Sequence, residues 1–176
     1  VRKALARAAV EPNRLILEVT ENFLMEEAAD IATALGALKT LGVQLAIDDF
    51  GTGYASLNAL RRLPFHTLKI DRSFVCNVND DPDAAAIVKA IIAMAHNLGL
   101  TVVAEGVETS AQERFLKEAG CDEAQGFLYS PALPPEEFAR FLDCLLYTSD
   151  AADDLPCVDI GGRPIIKKNN THTTHT

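Results

Sequence analysis

Short apolar runs alternate with longer amphipathic stretches through most of the chain. Leu15-Ile16-Leu17 leads into Glu18, and Val43-Gln44-Leu45-Ala46-Ile47 into Asp48-Asp49. Thr67-Leu68 leads into Lys69-Ile70-Asp71, Thr101-Val102-Val103-Ala104 into Glu105, and Cys121-Asp122-Glu123-Ala124 into Gln125. Runs this short and rich in Val, Ile and Leu predict strands buried on both faces. Ala28–Leu41 and Asp83–Leu98 carry apolar residues at three- and four-residue spacing, which predicts helices, with Ile87, Ile91 and Met94 as a buried stripe. Shorter helices are expected near Tyr54–Leu63, over Ser110–Ala119 with Ser110 as N-cap, and over Pro135–Leu146. Gly42, Gly99 and Gly120 each stand between a helix and a strand, where a left-handed residue ends a helix without a Cβ clash. Strand, helix, glycine and strand in alternation imply right-handed βαβ units and a parallel sheet.

The polar residues choose among parallel folds. Each apolar run ends on an acid, a lysine or an amide, and a (β/α)8 barrel gathers its active site at its strand C-termini. A doubly wound sheet also binds ligands there, but at one switch point rather than five consecutive ends. The expected fold is therefore α/β, a (β/α)8 TIM-type barrel. Five or six strands fall short of eight, and a barrel typically needs about 250 residues. The 176 residues are thus expected to be the C-terminal part of a barrel, with its N-terminal strands missing and Val1–Ala9 lying inside a helix.

From Tyr147 to Thr176 no period persists. The stretch Leu145–Asp154 resembles translated sequencing-adapter read-through, so residues 1–146 are read as the domain and 147–176 as a disordered tail or an artefact. His172 and His175 are not read as metal ligands.

Composition narrows the function. Apolar residues make up 48% of the chain and charged residues 23%, enough for a packed core. The net charge of −9 disfavours a DNA or RNA polymer as partner, because the phosphates would be repelled. Ala84–Ala95, the longest apolar stretch, contains Lys89 and is too short to cross a bilayer, so no membrane contact is expected within this segment. Cys76, Cys121, Cys144 and Cys157 form no CxxC pair and read as reduced thiols of a cytoplasmic domain.

Asp48-Asp49 precede Phe50-Gly51-Thr52-Gly53, and two acids before a glycine-rich loop suit a hard divalent cation. Glu18 and Glu105 end neighbouring strands and would face the same mouth. Four carboxylates there would repel one another unless a cation neutralised them; the alternative is a set of solvated turn acids. Lys69, the one positive side chain at these strand ends, would either pair with an acid such as Asp71 or steady a phosphoryl oxygen and orient a water. Acids, divalent metal and one lysine fit phosphate-ester hydrolysis best. His96 is read as a helix-end histidine without an acidic partner.

Glu18-Val19-Thr20-Glu21, Asp48-Asp49-Phe50-Gly51-Thr52-Gly53-Tyr54, Leu68-Lys69-Ile70-Asp71, Ala104-Glu105-Gly106-Val107-Glu108-Thr109 and Gln125-Gly126-Phe127 stand in order. Together they resemble the EAL domain, the bacterial cyclic di-GMP phosphodiesterase, over about Val1 to Leu146. The resemblance implies that Glu18, Asp48 and Asp49 are metal ligands, that Lys69 orients the catalytic water and that Glu105 is the general base. Glu21 would anchor the loop after Asp49, a loop implicated in homodimer formation, with Asp71, Glu108 and Gln125 in supporting positions. It further implies Mg2+ or Mn2+ as cofactor, with two ions, and the linear dinucleotide pGpG as product. The Glu-Ala-Leu signature and the second-strand asparagine of the family would lie upstream of Val1, beyond reach of this sequence. Ala55, His66 and Ser130-Pro131-Ala132-Leu133-Pro134 depart from the family's commoner residues.

An active phosphodiesterase is the expected function of the parent protein, which is open to membrane anchoring through upstream regions. The alternative is a degenerate domain that binds cyclic di-GMP or a protein without hydrolysing it; a receiver built around Asp48-Asp49 is a weaker one. The 176 residues alone are expected to be inactive.

Overall fold

The computed structural model describes residues 1–21, 23, 28–53, 57–148, 157–158 and 164–167. Strands β1 (Ile16–Thr20), β2 (Gln44–Phe50), β3 (Thr67–Ile70), β4 (Thr101–Ala104) and β5 (Glu123–Gln125) are parallel and lie side by side in chain order. A doubly wound sheet reverses its order at a switch point. The steady progression β1 to β5 is that of a (β/α) barrel wall.

The strands alternate with helices α1 (Arg2–Ala8), α2 (Ala28–Thr40), α3 (Leu57–Arg62), α4 (Arg72–Val75), α5 (Pro82–Asn97), α6 (Ser110–Ala119) and α7 (Pro135–Thr148). A 3-10 turn, Pro12–Arg14, precedes β1. One face of the sheet presents Leu45, Ile47, Leu68, Ile70, Val102, Ala104 and Ala124 to the core shared with Val88, Ile91 and Ile92 of α5. Side chains alternate along a strand. The opposite face therefore carries Glu18, Ala46, Lys69, Val103 and Glu123, aligned by the strand register. The chemistry lies on that second face and at the strand ends.

Several expectations are corrected. Burial on both faces holds for β3 and for most of β2 and β4. In β1 it does not: Ile16 is 54% exposed and burial alternates, because β1 pairs with β2 alone among the described residues. The α5 stripe is Ala84, Val88, Ile91, Ile92 and Ala95, while Ile87 is exposed. Thr109 rather than Ser110 caps α6, in a reciprocal box with Gln112, and Gly120 ends the helix at φ 86°. His96 does have an acidic partner: its Nε2 lies 2.8 Å from Asp122 Oδ2, which also accepts the Val102 amide. The pair ties the end of α5 to the start of β4 and β5.

Pro164–Lys167 (β7) pairs antiparallel with β5, and Cys157–Val158 (β6) with β7. Hydrophobic periodicity did not announce either strand. Ala55, Glu26, Glu27, His172 and His175 lie outside the described residues. Among the described residues no helix is long and apolar enough to cross a membrane.

Candidate active site and metal centre

Lys69 is the hub of the strand ends. Alternation turns its side chain away from the helices, between Leu68 and Ile70, and its Nζ is buried against three carboxylates. It lies 2.7 Å from Glu18 Oε1, 3.0 Å from Asp48 Oδ1 and 2.6 Å from Glu105 Oε1. Burial alone would lower the lysine's pKa, but the hydrogen bonds it donates to Glu105 and Glu18 outweigh it and raise the pKa above its ordinary value. The three carboxylates thus favour the charged ammonium. Lys69 pairs with acids, as one of its two expected readings had it, and the acids are Glu18, Asp48 and Glu105 rather than Asp71.

Asp48 and Asp49 should point to opposite sides of a regular strand. Instead the β2–β3 register shifts between Ile47 and Phe50, and Asp49 takes φ 54°. A bulge and a left-handed residue cost about 1–3 kcal/mol and cluster at functional sites. Here they bring both carboxylates to one side. Oxygens of Asp48, Asp49 and Glu105 lie within 4.8 Å of one another. The Asp49 pKa is raised, first by burial and then by the charge of Asp48, as expected of acids crowded without enough counter-charge.

That crowding tests whether a cation fits. Asp48 Oδ1 is buried, and its contact there is the Lys69 ammonium at 3.0 Å, which it shares with Glu18 and Glu105. Four carboxylates around one ammonium leave negative charge uncompensated, and the oxygens of Asp48, Asp49 and Glu105 make an all-oxygen set suited to a hard divalent ion. Asp48, Asp49 and Glu105 form that set. Glu18 is not part of it; its side chain is 46% exposed and engages Lys69.

The supporting residues fall around this centre. Gln125 Nε2 donates to Glu105 Oε1 at 2.6 Å, so one carboxylate oxygen receives both the amide and the Lys69 ammonium. The Glu105 amide is itself held by Ile70 O at 3.1 Å. Glu21, 3% exposed, accepts the amides of Gly51 and Gly53 and so shapes the loop after Asp49. Asp71 caps α4 by accepting from Ser73 N at 3.0 Å. Glu108 pairs with Arg72 Nη2 at 2.6 Å. Sequence reasoning missed Arg72, although it directly follows the Lys69-Ile70-Asp71 run. A Cβ on Gly106 would stand 2.3 Å from Arg72 Cγ, so the arginine stem lies flat on the Glu105–Val107 backbone.

The EAL domain family model matches residues 1–132. The bifunctional diguanylate cyclase/cyclic di-GMP phosphodiesterase MucR of Pseudomonas aeruginosa is 51% identical over 78% of this chain and 20% of its own length. The cyclic di-GMP phosphodiesterase NbdA of the same organism is 48% identical over 88% of this chain and again 20% of its own. The chain therefore spans about a fifth of these curated relatives. The solved MucR phosphodiesterase, in complex with c-di-GMP, superposes with a TM-score of 0.75 over 78% of this chain and 56% of that one, at 51% identity. The manganese/c-di-GMP complex of Klebsiella pneumoniae BlrP1 gives a TM-score of 0.69 at 36% identity, over 73% of this chain and 33% of that one.

Proposed function

This chain belongs to the EAL domain family, and from that membership we propose that the protein carrying it hydrolyses cyclic di-GMP to linear pGpG. The observation that supports the reading most strongly is the convergence of Asp48, Asp49 and Glu105 beside a buried, charged Lys69. Relatives that share this stretch carry the phosphodiesterase activity in their names.

Asp48, Asp49 and Glu105 are assigned as holders of Mg2+ or Mn2+, with Glu18 completing the ligand set when it releases Lys69, and two ions in the working site. Bound there, divalent ions would supply Lewis-acid polarisation of the phosphodiester and a water acidified for attack. The chain's own groups do the rest. Lys69 directs fixed positive charge at the oxygen that gains negative charge. Glu105, oriented by Gln125 and Lys69, accepts the proton of the attacking water. One P–O bond forms to that water and the P–O3′ bond breaks; the 3′ oxygen takes up a proton and the phosphate stays on the 5′ side.

Glu21 anchors the Gly51–Gly53 loop, and we assign that loop to homodimer contact as well. Residues 1–146 are taken as the EAL portion and 147–176 as lying outside it. Cyclic di-GMP as substrate and the absence of any CxxC pair among the four cysteines support a cytoplasmic site of action.

The test is pGpG release from cyclic di-GMP by the full-length protein with Mn2+, followed chromatographically. Asp48→Ala should abolish it, since the cation loses a ligand that nothing else replaces. Wild-type turnover in that variant would overturn the site. Cyclic di-GMP binding by wild type with no metal-dependent release would make the domain a receptor rather than an enzyme.

A further inference from the structure

Helix α4 follows β3, the strand that lies between β2 and β4, and it touches the loops that leave both neighbours. Gly51, in the loop after Asp49, takes φ 100° and has its backbone against the Phe74 ring. A Cβ there would meet Phe74 Cε2 at 2.7 Å and Cζ at 2.9 Å. Gly106, directly after Glu105, takes φ 68° and lies under the Arg72 stem. A Cβ there would meet Arg72 Cβ at 2.7 Å and Cδ at 2.8 Å. The Arg72 guanidinium then reaches Glu108 in the same loop, Nη2 to Oε1 at 2.6 Å. The helix is itself held firmly. Asp71 caps its start, Val75 is fully buried, and the Cys76 carbonyl at its end accepts Gln112 Nε2 at 3.2 Å. Gln112 Oε1 in turn accepts the amides of Glu108 and Thr109 at 2.8 and 3.0 Å.

Asp49 and Glu105 come from strands that do not pair with each other, yet their carboxylate oxygens lie within 4.8 Å. A cation shared by two such loops needs their spacing fixed, and groups outside the ligand set commonly fix it. We propose that α4 is the strut that sets this spacing, with Phe74 and Arg72 as its two positioning residues. Phe74 acts on Asp49 through Gly51, and Arg72 acts on Glu105 through Gly106 and Glu108. The inference rests on the metal-dependent phosphodiesterase reading above. A strut works only while both of its ends bear. Once either contact is lost the spacing is free, so losing the second costs little more.

The test is a double-mutant cycle on the full-length protein, read by Mn2+ calorimetry. Phe74→Ala and Arg72→Ala should each weaken Mn2+ binding by roughly ten- to a hundredfold. Removing the Arg72 charge would by itself favour a cation, so weaker binding reports lost positioning. The double variant should bind about as well as the weaker single one, whereas independent supports would multiply their losses. Arg72→Lys, which keeps a stem on Gly106 and a charge for Glu108, should recover most of the affinity. Val88→Ala, a core control on α5, should lower the melting temperature and leave Mn2+ affinity unchanged. Saturating Mn2+ should restore most pGpG release in both single variants, since no ligand has been removed. Wild-type affinity in either alanine variant, multiplied losses in the double variant, or an equal loss in Val88→Ala would overturn the strut and leave the enzyme reading intact. Wild type that neither binds Mn2+ nor releases pGpG would instead overturn the reading itself, and this inference with it.

Discussion

The Glu21 carboxylate accepts the Gly51 amide at 2.7 Å across thirty residues of chain. One stands at the end of β1 and the other follows β2, so strand pairing brings them together. The same oxygen accepts Gly53 N at 3.2 Å. A charged acceptor serving two amides strengthens both bonds, and the loop it shapes begins directly after Asp49.

Glu21→Ala should therefore lower unfolding free energy by about 1–3 kcal/mol and weaken Mn2+ binding, since the loop that follows Asp49 loses the acceptor of its Gly51 and Gly53 amides. Glu21→Gln, which retains an acceptor oxygen, should lose less of each. Urea denaturation and Mn2+ calorimetry on the three proteins check this; unchanged Mn2+ affinity in Glu21→Ala would uncouple the loop from the metal centre.

Glu105→Gln preserves shape and removes the proton acceptor. Turnover in Mn2+ should drop by about 10² to 10⁴, with cyclic di-GMP binding largely retained. Binding lost together with turnover would mark Glu105 as chiefly a cation holder.

Gly126 has no room for a side chain. A Cβ there would meet the Val107 carbonyl oxygen at 2.1 Å and its nitrogen at 2.3 Å, backbone atoms that cannot swing aside. Gly126→Ala should destabilise the fold by about 1–3 kcal/mol or more, whereas Gly36→Ala, with nothing within 4 Å of its Cβ position, should stabilise α2. Thermal melting of the two variants distinguishes them.

Cys121 is buried, with its Sγ donating to Glu123 O at 3.2 Å, and Cys76 is exposed. Burial disfavours the thiolate and pushes the Cys121 pKa from 9.0 up to about 12. The folded pKa is the higher one, so the protonated thiol's contribution is complete below pH 9 and is lost as pH rises toward 12. With Cys144 and Cys157 replaced by Ser, a thiol reagent at pH 8 should label Cys76 promptly and Cys121 only after denaturant is added. Equal labelling rates would refute the buried-thiol assignment.

Strand and helix positions are legible in the linear chain because burial imposes a period of two or a bounded apolar run on strands and 3.6 on helices. The strand-end motifs are legible too, since parallel βαβ units bring every strand C-terminus to one side whatever the detailed packing. Three matters lie beyond that local pattern. A period-two strand would have sent Asp48 and Asp49 to opposite faces; only the bulge between β2 and β3 puts both beside Glu105. The choice of Glu18, Asp48 and Glu105 as partners of Lys69, in place of its sequence neighbour Asp71, depends on strand register. The contact of His96 with Asp122 and of Arg72 with Glu108 joins elements 26 and 36 residues apart. Local sequence sets which backbone each segment prefers, whereas the meeting of such distant groups is a property of how the strands align.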